Sequence, residues 1–179
     1  DGLGRVNTGN LILSKWEIEN AERYQLPLRG DQDGLTQYFY LRRNVIKAKV
    51  SMPGKSFYAV NTHLTAFATD DTKQKHIDGF KAVLDGIAAE GASFIAGGDL
   101  NEIPPNASKM DYCIDDKCEG ELYHSGGENE HKEGSYFAPE ITWLSSLFNS
   151  YNPAIPLDVY GASETDHFTH SPDDKLQLD

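Results

Sequence analysis

The sequence predicts an α+β fold. Three observations point there: short β-branched and aromatic runs fill the first hundred positions, one long segment carries apolar residues at helical spacing, and the second half is rich in Pro, Gly and charge. With 179 residues, 39% hydrophobic and 25% charged, the chain suits one soluble globular domain over residues 1–179. A chain of this size buries about 70% of its unfolded surface, so its core does not depend on disulfides.

The elements follow in order. Asn10-Leu11-Ile12-Leu13-Ser14 is a brief apolar run with a strand signal. After the polar stretch 29–34, Tyr38-Phe39-Tyr40-Leu41 is aromatic and strand-like. Residues 45–50 alternate at their end, and Pro53-Gly54-Lys55 marks a hairpin turn into a strand over 57–60. The clearest helix covers 70–89, where Ile77, Phe80, Leu84, Ile87 and Ala88 form one apolar stripe. Gly91 stops it, and residues 93–96 make a short, wholly apolar strand of the buried type. Beyond Asn101 come Pro104-Pro105, a Gly/Glu/His stretch at 120–134 and a short helix over 141–150.

The net charge of −12 is unevenly placed. Residues 1–100 hold 12 Lys+Arg and 12 Asp+Glu; residues 101–179 hold 4 and 16, and so carry the whole excess. An acidic half repels polyanions unless a cation intervenes, which argues against a passive nucleic-acid-binding module. An enzyme meeting phosphate through bound metal tolerates it, because the ion inverts the local field. No run of eighteen apolar residues occurs, so no membrane-spanning helix is expected. The opening Asp1-Gly2-Leu3-Gly4 lacks the charged and apolar regions of a signal peptide.

Two motifs stand at predicted strand exits, Asn61-Thr62-His63-Leu64 and Gly97-Gly98-Asp99-Leu100-Asn101. Glycine beside polar residues permits close backbone approach, a common setting for a site. Asp99 can hold a hard cation or take a proton from water, Asn101 lies two residues on, and His63 can donate to a phosphoryl oxygen. Alone, each motif is equally a turn with Asx hydrogen bonding or a structural histidine.

The order of motifs is more specific. G-N-x-I-L-S from Gly9, N-T-H-L, a helix containing Gln74, then a strand and G-G-D-L-N-x-x-P resemble the endonuclease/exonuclease/phosphatase superfamily. That superfamily includes the DNase I-like nucleases, neutral sphingomyelinases and inositol polyphosphate phosphatases. The resemblance implies a DNase I-like two-layer β-sandwich flanked by helices, and a Mg²⁺-dependent phosphoesterase, with Mn²⁺ as substitute. Its first expectation is phosphodiester hydrolysis by an activated water, with nucleic acid among the substrates. The alternatives are a phosphomonoesterase or a lipid/inositol-type phosphodiesterase, and a catalytically inactive binding domain. The sequence offers no evident apolar hairpin for membrane insertion, which weighs against the lipid version.

By motif, His63 matches the histidine that contacts the scissile phosphate. Asp99 matches the aspartate that orients or activates water and touches the metal. Asn101 matches the asparagine that stabilises the transition state, here also expected at the metal, and Asp179 matches the aspartate of an L-D-Y/W-I strand. Arg42 and Arg43, beside the strand before N-T-H-L, are candidate phosphate contacts or surface charges. Gln74 resembles a helix glutamine of the family, with packing as its better explanation. The family's Q-E motif, with its metal-binding glutamate, and its closing S-D-H motif are both missing. The expectation is a fragment truncated at both ends, lacking the metal-Glu strand and the S-D-H strand and nearly inactive alone.

Other residues invite simpler explanations. Cys113 and Cys118 favour a small-loop disulfide over free thiols, and with it an oxidising compartment, secreted or periplasmic. A zinc site with His124 and His131 fits no standard spacing. Asp111, Asp115, Asp116, Glu119 and Glu121 lack an EF-hand ladder. Asn106-Ala107-Ser108 is a glycosylation sequon. Trp16, Trp143, Phe148 and Tyr151 are expected in the core or at its edges, and the long segment 111–142 is the candidate for substrate selection.

Overall fold

The computed structural model describes residues 8–66, 68, 70–102, 104–105, 143–163, 166–167 and 169. They form an α+β structure with one four-stranded mixed sheet of order β1-β2-β3-β4. Its strands are β1 (Glu17–Gln25), β2 (Asn44–Met52), β3 (Lys55–His63) and β4 (Phe94–Asp99). The first three are antiparallel, and β4 runs parallel to β3. Four helices stand among the described residues: α1 (Gly34–Phe39), α2 (Thr72–Ala89), α3 (Ser145–Ser150) and α4 (Leu157–Ala162).

The β2–β3 hairpin forms as its turn residues dictate. Met52 pairs with Lys55 across Pro53-Gly54, and Gly54 takes a φ of 81° that favours glycine. Helix α2 makes the crossover a parallel neighbour requires. It ends at Gly91 (φ 68°), whose N–H donates to Ala88 O at 2.9 Å.

Register and burial locate the core. Val45, Val60 and Ala96 lie on the α2 face and pack with Ile77, Phe80, Val83, Leu84 and Ile87. Leu26, Leu64, Leu100, Leu144 and Leu147 extend this cluster, with Trp143, Phe148 and Tyr151 partly buried against it. The Tyr151 hydroxyl donates to Asp85 at 2.6 Å. Burial and that carboxylate push its pKa up to about 12.

Several expectations are corrected. Tyr38 and Phe39 are not in a strand but end helix α1. Asp33 Oδ1 accepts the Leu35 and Thr36 N–H groups at 2.9 and 3.1 Å, and this N-cap overrides the β propensity of the aromatics. The run 10–14 lies outside any strand, and the first strand is the charged segment Glu17–Gln25. β4 is no buried strand: among the described residues it is an edge, and Ile95 is 69% exposed. Ala88 faces solvent and Val83 joins the stripe instead. Trp16 is exposed, beneath the Lys15 ammonium at 4.4 Å. Gln74 is half-buried, and its amide donates to Asp78 at 2.9 Å. Helix α3 begins at Ser145, and residues 141–142 lie outside the described set.

Candidate functional site

The parallel pairing of β3 and β4 sets His63 opposite Asp99 at the last register position. Opposed residues share a face, and alternation turns both side chains away from α2. His63 Nε2 stands 3.3 Å from Asp99 Oδ2, with the side chains 45% and 44% exposed. Both are therefore within reach of a solvent-borne substrate.

The close approach depends on Gly98. Its φ is 132°, and a Cβ there would collide with the Thr62 carbonyl oxygen on β3. Any side chain at this position pushes the strands apart just before His63 and Asp99.

Asn101 is held by local chemistry. Its backbone sits at φ 52°, a left-handed conformation that asparagine tolerates better than most residues. Its N–H donates to Asp99 Oδ1 at 2.9 Å, an Asx hydrogen bond. Its Nδ2 donates to Leu64 O at 3.0 Å, and the Leu64 N–H donates to Asp99 O at 2.9 Å. The turn explanation and the site geometry thus coexist: one Asp99 oxygen orders the loop while the other faces His63. With Nδ2 engaged, Asn101 Oδ1 is left as an acceptor.

Arg42 and Arg43 precede β2, whose start pairs with the end of β3 through Val45 and Thr62. They occupy the same end of the sheet as His63, Arg42 exposed and Arg43 half-buried. Asp179 lies outside the described residues, as do Cys113, Cys118, the acidic cluster at 111–121, the sequon at Asn106 and the segment 111–142.

Sequence reasoning missed the supports of this end. Asn44 O accepts from Asn10 Nδ2 at 2.8 Å and from Thr62 Oγ1 at 3.1 Å. Asn61 Nδ2 donates to Leu11 O at 3.1 Å, so residues 10 and 11 are tied to β2 and β3 without entering the sheet. Behind the site, three buried polar residues of α2 reach three loops. Thr72 Oγ1 accepts the Gly30 N–H at 3.2 Å. Lys73 Nζ lies 3.2 Å from Glu102 Oε1, the residue after Asn101, with side chains 5% and 1% exposed. His76 Nδ1 accepts the Thr65 N–H at 3.2 Å, and its Nε2 lies 2.8 Å from Pro27 O. Their one sequence signal is position: 73 and 76 extend the stripe of 77, 80, 84 and 87 toward the helix start.

The loop offers two kinds of oxygen donor two residues apart, the Asp99 carboxylate and the Asn101 side-chain amide. Hard oxygen donors in that number suit Mg²⁺, which usually keeps waters and substrate oxygens in its remaining positions. Among the described residues, no three His, Cys, Asp or Glu side chains group as a complete metal cage. No helix among them is long and apolar enough to cross a membrane. No protein-family model matches the chain, and no curated protein matches it.

Proposed function

We propose that the chain carries the core of a metal-dependent phosphoesterase site that hydrolyses a phosphodiester through an activated water. The observation that carries this reading is the His63–Asp99 pair, 3.3 Å apart at two parallel strand exits, with Asn101 fixed beside it by two hydrogen bonds. An imidazole, a carboxylate and an amide at one solvent-accessible point suit phosphate chemistry. His63 donates to a phosphoryl oxygen, Asp99 orients the attacking water and accepts its proton, and the Asn101 amide meets the charge that develops in the transition state. Arg42 and Arg43 lie at the same end to offset the substrate's negative charge. Asp99 and Asn101 would hold Mg²⁺ or Mn²⁺, which when bound supplies Lewis-acid stabilisation of a phosphoryl oxygen. On this reading the sheet is one layer of a DNase I-like sandwich.

The test is hydrolysis of a chromogenic phosphodiester with Mg²⁺ or Mn²⁺, with chelator, and beside Asp99→Ala. Expected is metal-dependent turnover that falls about 10²–10⁴-fold in Asp99→Ala. Turnover indifferent to both chelator and substitution overturns the mechanism. Mn²⁺ broadening of the His63 and Asn101 resonances without turnover supports the inactive binding domain instead.

A second reading is favoured by α1. Leu35, Tyr38 and Phe39 are 71%, 69% and 72% exposed, on the connection between the β1 exit and the β2 start. This apolar, aromatic knob is a short helix and not a hairpin, and at the site's end of the sheet it suits a lipid-presented head group. Co-sedimentation with phosphatidylcholine vesicles, abolished by Tyr38→Ser/Phe39→Ser, supports it; equal partitioning of wild type and variant removes it.

A further inference from the structure

We propose that His76 is a positioning residue for the strand exits carrying His63 and Asn101, and that it holds them only while its ring is neutral. The proposal rests on the phosphoesterase reading for its consequence in turnover, but not for its geometry.

The two ring nitrogens face opposite demands. Pro27 O is a carbonyl and can only accept, so Nε2 carries the proton and donates at 2.8 Å. The Thr65 N–H can only donate, so Nδ1 accepts it at 3.2 Å. The neutral Nε2–H tautomer satisfies both partners. Adding a proton to Nδ1 sets one N–H against another within a side chain that is 1% exposed, where water has little access to take over.

The constraint reaches the site in one residue. Thr65 follows Leu64, whose N–H donates to Asp99 O and whose carbonyl accepts from Asn101 Nδ2; His63 is the residue before. On the other side, Pro27 follows Leu26, whose N–H donates to Arg43 O at 3.0 Å. One imidazole therefore joins the β3 exit, the β1 exit and the arginine segment to α2.

The charges around it are known. Arg43, before β2, opposes protonation, and Asp70, before α2, favours it. Lys73, one turn back on α2, is paired with Glu102 from the loop after β4. Burial is the largest influence and holds the ring's pKa below its ordinary 6.5. The unfolded chain thus takes up the proton first. The stability contributed by neutral His76 is full above pH 6.5 and falls as pH drops below 6.5 toward the depressed folded value.

The experiment is a ¹H–¹⁵N NMR titration of the whole chain from pH 7.5 downward, with His76→Gln and His76→Ala beside it. Expected in wild type is a His76 ring transition below pH 6.5. At the same midpoint the Thr65 amide should lose about tenfold in exchange protection and the Asn101 side-chain amide should shift. Gln offers a donor and an acceptor but no titration, so His76→Gln should keep the neutral-pH Asn101 signal and abolish its pH dependence. His76→Ala should displace that signal at every pH. In a phosphodiester assay, His76→Gln should lose only the part of the acid limb that shares the His76 midpoint, the fall due to protonation of Asp99 remaining. A wild-type Thr65 amide that ignores the His76 transition overturns the proposal, and so does a folded His76→Ala with an unmoved Asn101 side chain. Neither outcome depends on turnover, so the positioning role stands or falls on the Thr65 and Asn101 signals whether or not the chain hydrolyses a phosphodiester.

Discussion

The two halves of α2 bury the same face of one helix with opposite chemistry. From Ile77 onward the face is Ile77, Phe80, Val83, Leu84 and Ile87, packed on Val45 and Val60 of the sheet. Before Ile77 it is Thr72, Lys73 and His76, each buried and together bonded to the loops after β1, β3 and β4. The apolar half secures the sheet, which is hydrophobic and non-directional. The polar half secures loops at the sheet end that carries His63, Asp99 and Asn101, where direction matters. Hydrogen bonds and an ion pair fix a backbone's position and angle in a way apolar contact does not. The helix therefore acts as scaffold at one end and as a clamp at the other.

The strongest way to break the polar half is Glu102→Ala. It leaves the Lys73 ammonium buried at 5% side-chain exposure, and removing one partner of such a pair costs about 3–5 kcal/mol. Denaturant unfolding should show that loss. Lys73→Met with Glu102→Leu should recover to within about 1 kcal/mol of wild type or exceed it, since the pair itself adds little net stability. The double variant should still perturb the Asn101 side-chain amide, because apolar contact does not set the direction of the loop after Asn101. Full stability with an unchanged Asn101 signal would show that the pair only fills space.

The matching probe of the apolar half is Ile77→Ala. Ile77 is fully buried beside His76, so the substitution should cost about 2–5 kcal/mol through lost transfer energy and the residual cavity. In contrast to the polar variants, it should lower unfolding stability at every pH and leave the pH dependence of the Thr65 amide in place. If Ile77→Ala abolishes that dependence, the two halves are one packing unit and the division fails.

The division also explains what the sequence reveals. The apolar stripe is legible because four of its members fall at helical spacing, whereas the fifth interior position is Val83 and not Ala88. Thr72, Lys73 and His76 are illegible, because a buried lysine looks like a solvated one until Glu102 is placed against it. The same limit applies elsewhere. The segment Glu17–Gln25 hides its strand because it is charged, an edge among the described residues, and bulged at Asn20 (φ 48°), where the register slips between Glu19 and Glu22. Residues 38–41 look like a strand by propensity, yet the Asp33 cap, three residues before Thr36, draws Tyr38 and Phe39 into the end of α1 and leaves Tyr40 and Leu41 outside any strand. His63, Asp99 and Asn101 are legible in the sequence because glycine and strand exits mark them. Their 3.3 Å meeting is a product of parallel register, which no local pattern encodes.

The smallest effect sharpens the boundary of the clamp. Lys81 and Asp85 stand at i and i+4 on α2, with Nζ 2.9 Å from each carboxylate oxygen. The geometry resembles that of Lys73 and Glu102, a cation against an acid, but Asp85 is half-exposed. Solvent screens such a pair, so Lys81→Ala should cost only about 0.3–0.5 kcal/mol. The Tyr151 hydroxyl still donates to Asp85 and keeps α3 attached. Raising the salt to about 1 M shortens the screening length to about 3 Å, which should close most of the gap between Lys81→Ala and wild type while leaving the Glu102→Ala deficit nearly intact. What separates the two pairs is then burial, not contact distance. A Lys81→Ala loss above about 1 kcal/mol that persists in salt would mean that the polar clamp continues down the helix past Ile77.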